Sequence, residues 1–314
     1  MGRKKVSIIG AGNVGATATY HIAERVIADL VMVDIEQGVT EAKALDFLHA
    51  GPIRGYDVSI QGTSDFAAIA DSDVVVITAG VARKPGMDRM DLLKVNTEVV
   101  KNAAHSIDVY APNATVIVVT NPLDVMCRVA LRTTGFSMRR VVGMAGILDA
   151  TRFRYFVAEA LGCAPSDVHA MVLGGHGDQM VPLPRFTTVS GIPITRLLDA
   201  ATIERLVDRT RKGGAEIVQY LKTGSAYYAP AASAAEMVEA ILTDRKTLAP
   251  CAAYLRGEYG IENLFVGVPV ILGKNGIERI VELELSDEEK QQLATSAAAV
   301  RKGMEELGTF FKAT

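Results

Sequence analysis

The chain has 314 residues, which at roughly 150 per domain implies two domains or one large one. Its 33 basic and 36 acidic side chains leave a net charge of −3, which excludes a basic nucleic-acid footprint and an acidic interaction tail. With 49% hydrophobic and 22% charged residues the composition is that of a folded globule, not of a disordered chain.

The first apolar run, residues 6–9, has the length and β-branching of a strand and is too short for the core of a signal peptide. Further strand-like runs follow at 30–33, 58–60, 74–78 and 115–119, and helical spacing or composition fills 14–27, 40–49 and 91–110. Several of these runs are apolar throughout instead of alternating. That suits strands covered on both faces, and hence an α/β fold with a parallel sheet and helices on each side. No run nears the ~18–20 apolar residues of a membrane span; the longest, around 74–82, is interrupted by Thr78 and Gly80. From about Gly146 the rhythm changes. A helix is expected over 148–161, then glycine-rich and proline-punctuated loops, a long helix over 201–221 and an alanine-rich one over 229–242. The last of these suits either an interface or a buried core. Two or three strands are expected within 247–281, and a closing amphipathic helix over 286–311 opens with Ser286 and Glu289 in capping-box spacing. The change of rhythm divides the chain at 145/146. Three cysteines, Cys127, Cys163 and Cys251, have neither metal-ligand nor redox spacing, and the expectation is a cytoplasmic protein in a reducing compartment.

Gly10, Ala11, Gly12, Asn13, Val14 and Gly15 form a G-x-G-x-x-G between the first strand and the first helix. Glycines there permit a tight turn, approach of a pyrophosphate and close helix–strand packing, with free helix N–H groups facing the phosphates. Asp34 ends the second strand nineteen residues after Gly15, near the ~20 expected of a carboxylate that binds a ribose 2′-OH. A carboxylate would repel a 2′-phosphate, so the pair points to NAD rather than NADP.

Three further elements are weaker when taken singly. Asp149 and Arg152, three apart, share a helix face; they could orient a histidine and grip a carboxylate, or form a plain surface ion pair. His176 lies within Gly-Gly-His-Gly-Asp, where flanking glycines suit an imidazole held on a tight loop. Arg83 and Arg89 bracket a Pro-Gly loop directly after the fourth strand, beyond the end of a parallel strand where such sheets bind ligands.

Taken together, and with Asn96, the Val119-Thr120-Asn121-Pro122-Leu123-Asp124 run, Gly224 to Pro230 and Gly267-Val268-Pro269, these elements resemble the lactate/malate dehydrogenase superfamily over nearly the whole chain. The resemblance is closest to the malate dehydrogenases of the lactate-dehydrogenase-like branch. It implies an N-terminal Rossmann doubly wound parallel sheet over 1–145 and a C-terminal α+β substrate domain over 146–314. It further implies that His176 is the proton acceptor and Asp149 its orienting carboxylate. Arg152 would bind the C1 carboxylate and Arg89 would polarise the carbonyl oxygen. Asn121 would touch substrate and nicotinamide ribose, with Asn96, Val119 and Thr120 lining the cofactor cleft. Arg83 falls where malate enzymes carry arginine and lactate enzymes commonly carry glutamine, so it would meet the second carboxylate of a dicarboxylic acid. Pro85 and Gly86 suit a lid over the substrate. The implied cofactor is NAD, with no metal, and the implied partners are malate or oxaloacetate, with no nucleic acid and no membrane. Relatives are dimers or tetramers, so a homo-oligomer is expected. Lactate dehydrogenase, a broader 2-hydroxy-acid dehydrogenase and a redox-silent NAD-binding protein stand as the alternatives.

Overall fold

The computed structural model describes residues 2–81 and 89–308, without the side chain of Arg89. Arg83, the Pro85-Gly86 turn and the end of the expected closing helix therefore lie outside the described residues.

The first half alternates β1 (Lys4–Ile9), α1 (Asn13–Arg25), β2 (Ala28–Val33), α2 (Val39–Arg54), β3 (Ile60–Thr63), β4 (Val74–Ile77), α3 (Arg89–Tyr110), β5 (Thr115–Val118), α4 (Leu123–Thr134) and β6 (Val141–Gly143). These strands lie parallel in the order β6-β5-β4-β1-β2-β3. Their apolar runs show why both faces must be covered. Val74 and Val76 enter one core cluster with Ile8 and Ile22, while Val75 and Ile77 enter the other with Ile9, Val100 and Val116. With successive side chains on opposite faces, a run apolar at every position needs helices on both sides.

Some boundaries differ from the sequence expectation. β3 covers 60–63 instead of 58–60, because pairing with β2 carries the strand on through Gln61 and Gly62 to Thr63, opposite Val33. Val58 is still buried, but in the approach to the strand. α2 runs past His49 to Arg54 with Pro52 inside, and Gly55 closes it at φ 80°. Pro52 removes one i→i−4 bond, that to the Leu48 carbonyl, within the last turn before Gly55 ends the helix. α4 has no counterpart among the expected helices, although Pro122 and Gly135 bracket it in the usual way.

The second half contains α5 (Gly146–Leu161), the short strands β7 (Val168–His169), β8 (Val172–Leu173), β9 (Val181–Pro182), β10 (Thr188–Val189) and β11 (Ile192–Pro193), then α6 (Ala200–Leu221) and α7 (Tyr228–Leu242). A meander of β12 (Thr247–Arg256), β13 (Glu262–Gly273) and β14 (Gly276–Ile280) precedes α8 (Asp287–Gly308). The meander is antiparallel and joins the parallel sheet through one pairing, Ala252 with Gly143, so the two halves share a nine-stranded sheet. Gly143 makes that junction possible, since a Cβ there would come within 2.8 Å of the Ala252 Cβ and 2.7 Å of the Cys127 Sγ. α7 is core: Ala231, Ala234, Met237, Val238 and Ile241 are all buried within this chain. The capping box forms as expected, with Ser286 N–H donating to Glu289 at 2.8 Å and Glu289 N–H to Ser286 Oγ at 3.2 Å.

Candidate active site

The order of the parallel strands reverses between β1 and β4, and the chain leaves both at their carboxyl ends. Two glycines of the turn after β1 are required by their neighbours, and the third leaves its backbone open. A Cβ on Gly10, which sits at φ 106°, would strike the Ala79 backbone and the Thr78 Oγ1, and one on Gly15 would strike the Gly10 carbonyl. Gly12 is exposed with open space where a Cβ would stand, so a ligand can approach the backbone there. α1 starts without a side-chain cap and without an acidic residue in its first turn, leaving its N–H groups to an incoming anion. Asp34 follows β2, and its Oδ2 accepts the Ala11 N–H at 2.6 Å. Glycine loop and carboxylate thus form one cradle that fits the pyrophosphate and ribose of a dinucleotide.

The ends of β4 and β5 are tied together beside it. Thr78 Oγ1 donates to the Gly10 carbonyl at 2.8 Å, and Thr120 Oγ1 donates to the Ala79 carbonyl at 2.7 Å. Asn96, buried in α3, accepts the Val81 N–H at 2.8 Å and donates to the Val81 and Asn121 carbonyls at 3.1 and 2.7 Å. Its side chain therefore fixes both the stem of the segment that carries Arg83 and the backbone at Asn121, whose own side chain is exposed. Val119 sits between them, its N–H bonded to the Ile77 carbonyl at 2.9 Å.

His176 is aimed from three sides. Gly174 pairs with Gly267 of β13, Gly175 N–H donates to Ser296 Oγ of α8 at 2.8 Å, and His176 N–H donates to Asp124 Oδ2 of α4 at 3.0 Å. The ring's Nδ1 lies 2.9 Å from Asp149 Oδ2, and Arg152 Nη1 donates to Asp149 Oδ1 at 3.2 Å. The Asp149 side chain is only 2% exposed and that of Arg152 14%, so this is not a surface ion pair. Gly213 and Gly214 of α6 make room for the guanidinium; a Cβ on Gly213 would lie 3.2 Å from Arg152 Cδ. Burial, the largest influence on the His176 ring, lowers its pKa. The Asp149 carboxylate, through charge and hydrogen bond, more than reverses that, and the net displacement is upward. An imidazole whose Nδ1 faces a buried carboxylate presents Nε2 to a substrate and can take and return a proton.

Of the residues singled out in the sequence, the His176–Asp149–Arg152 group comes into direct contact, and Asn96 and Asn121 are joined through the Asn121 carbonyl. Arg83 lies outside the described residues, as does the side chain of Arg89. Asp124 is a functional residue that the sequence motifs do not single out. Its signal was its place three residues after Asn121, and nothing local connected it to His176.

Residues 4–143 match the family model for the NAD-binding domain of lactate/malate dehydrogenase, and residues 147–311 the model for its alpha/beta C-terminal domain. The malate dehydrogenase of Thermomicrobium roseum is 59% identical over 300 residues, covering 96% of this chain and 97% of that protein. The malate dehydrogenase of Methanosarcina mazei is 54% identical, covering 96% and 99%. Among solved structures, the apo malate dehydrogenase of Picrophilus torridus superposes with a TM-score of 0.96 at 46% identity, covering 99% of each chain. The lactate dehydrogenase of Cryptosporidium parvum, solved with lactic acid and nicotinamide adenine dinucleotide, gives 0.95 at 40% identity, covering 98% of this chain and 99% of that one. The chain belongs to the lactate/malate dehydrogenase family.

Proposed function

We propose that the chain is an NAD-dependent malate dehydrogenase that interconverts (S)-malate and oxaloacetate. The observation that carries this reading is the buried group in which one carboxylate, Asp149, accepts from both His176 and Arg152. The names of the relatives at 52–59% identity support malate as the substrate.

When bound, NAD supplies the acceptor for the hydride from C2 of malate. The protein does the rest. Gly12, Asn13, Val14 and Gly15 would hold the pyrophosphate, Asp34 would accept from the adenosine ribose, and Asn96, Val119 and Thr120 would line the nicotinamide end beside Asn121. Arg152 holds the C1 carboxylate and Arg83 the distal one. His176 takes the hydroxyl proton at Nε2 in oxidation and returns it in reduction, general acid–base work typically worth about 10²–10⁴-fold. Asp149 keeps the ring in one tautomer and stabilises the imidazolium, as the carboxylate of a catalytic triad does. Arg89 stabilises charge developing on the carbonyl oxygen. With this activity go a role in the tricarboxylic acid cycle, a cytoplasmic location, a division into domains at 145/146, and a homodimer or homotetramer. The assembly is supported by Leu45, Leu48 and Ile53 of α2, exposed at 54%, 40% and 89%, as apolar surface that a second copy would cover.

The test is the loss of NADH absorbance with oxaloacetate, run beside pyruvate. Strong preference for oxaloacetate is the expected result; preference for pyruvate would assign the chain to the lactate enzymes of the same family.

A further inference from the structure

Asp124 opens α4 at 5% exposure, a carboxyl group in the interior within bonding reach of the His176 loop. Its Oδ2 accepts the His176 N–H, and its Oδ1 is buried with no hydrogen-bond partner among the described residues. Burial pushes this carboxyl up to about 6, the bond from the His176 amide and the charge of the ring pull against that rise, and Asp149 adds to it. The preceding amide, Gly175, is held by the neutral hydroxyl of Ser296. Two consecutive amides of the loop are therefore pinned, one by a group that cannot ionise near neutrality and one by a group that can. A structural clamp needs only an acceptor, as Ser296 demonstrates. Asp124 adds a charge beside the ring, and its Oδ1 lacks a side-chain or loop partner among the described residues.

We propose that Asp124 is a positioning residue for the reaction: its grip on the His176 amide links the Asn121–Asp124 turn to the loop that carries the imidazole, and its charge helps that ring hold its proton. This rests on the reading of His176 as the proton acceptor. The groups facing Asp124 are His176 from the loop, Asp149 from α5 and Cys127 from its own helix. From α8 the loop meets Ser296 and Val300, neither charged. Arg152 opposes protonation of the ring from the far side of Asp149. While Asp124 is ionised it favours the imidazolium; as pH falls through about 6 it takes up a proton and that support fades.

Two substitutions separate the parts. Asp124→Asn keeps an oxygen for the His176 N–H and removes the charge, whereas Asp124→Ala removes both. For Asp124→Asn, the pH profile of kcat/KM for malate should move down by about half a unit, because neutral His176 then persists to lower pH. Asp124→Ala should show the same displacement and, with a buried amide left unpaired, a fall in kcat of about 5- to 100-fold that exceeds any change in KM. Thermal melting and NADH fluorescence titration report whether each variant is folded; if the Ala variant is not, Asp124→Leu takes its place in the comparison of kcat. An Asn variant with the wild-type pH profile overturns the charge effect, and one that loses as much kcat as the Ala variant overturns the positioning. His176→Asn is run alongside. If it keeps turnover, the proton-acceptor reading has failed; if it is inactive while both Asp124 variants behave as wild type, only the present inference has.

Discussion

Replacing Asp149 by asparagine tests the centre of the site with almost no change of shape. Its two oxygens both accept, Oδ1 from Arg152 at 3.2 Å and Oδ2 from the ring of His176 at 2.9 Å. An amide has one oxygen. Whichever way it is turned, one donor then faces an NH2 in a buried place, at a cost of about 1–3 kcal/mol. The lost charge adds to this. A carboxylate about 4 Å from the imidazolium charge attracts it by about 4 kcal/mol at an effective dielectric near 20, and Arg152 on the other oxygen offsets part of that field. A loss of about 2–4 kcal/mol of transition-state stabilisation follows, and kcat should fall by about 30- to 1,000-fold.

The pH dependence supplies an independent sign. The His176 pKa is raised above its ordinary 6.5, and the Asp149 carboxylate is what overcomes the effect of burial. Malate oxidation needs the neutral ring, so its kcat/KM should rise with pH through that raised value; oxaloacetate reduction needs the imidazolium and should fall over the same range. In Asp149→Asn both limbs should move to lower pH. Steady-state NADH absorbance in each direction across pH measures the rate and the shift together. A variant that kept more than a tenth of wild-type kcat with unmoved limbs would refute the assignment of Asp149 as the group that holds and charges the ring.

Arg83→Gln should lower kcat/KM for oxaloacetate by about 30- to 3,000-fold, the equivalent of about 2–5 kcal/mol for a lost buried charge partner, while the value for pyruvate holds or rises. A ratio of the two constants within about threefold of wild type would move recognition of the second carboxylate to another residue. Asp34→Ser with a basic residue added beside it should narrow the preference for NAD over NADP, measured as the ratio of kcat/KM values; a wild-type protein indifferent to the two cofactors would contradict the ribose assignment. Ser286→Ala removes the acceptor for the Glu289 N–H at the start of α8, and chemical denaturation should show a loss of about 1 kcal/mol, with little change if the cap is not formed in solution.

Much of the site was legible because it is local. The G-x-G-x-x-G turn, the carboxylate at the end of β2 and the three-residue step from Asp149 to Arg152 are patterns within one strand, one turn or one helix, where chain geometry sets the spacing. The runs at 74–77 and 115–118 announced strands covered on both faces in the same way. The segment at 58–60 misled because its β-branched residues mark propensity, whereas the boundary of β3 depends on how far β2 extends beside it. α4 has its proline and glycine brackets as a local signal, but Leu123 to Cys127 are all buried, so its opening turn shows no apolar stripe set off from its surroundings.

Sequence alone therefore determined the α/β class and the dinucleotide cradle, which rest on periodicity and fixed local spacing, while the candidates for proton transfer came through the family resemblance. Tertiary structure decided which candidates meet. It made the Asp149–Arg152 pair a buried one, assigned α7 to the core, and joined the two halves through Gly143 and Ala252. It also gave Asp124 and Ser296 their hold on the His176 loop, across 52 and 121 residues of chain. Contacts over such separations leave no period in the sequence. They exist only because packing brings α4 and α8 against the same two amides.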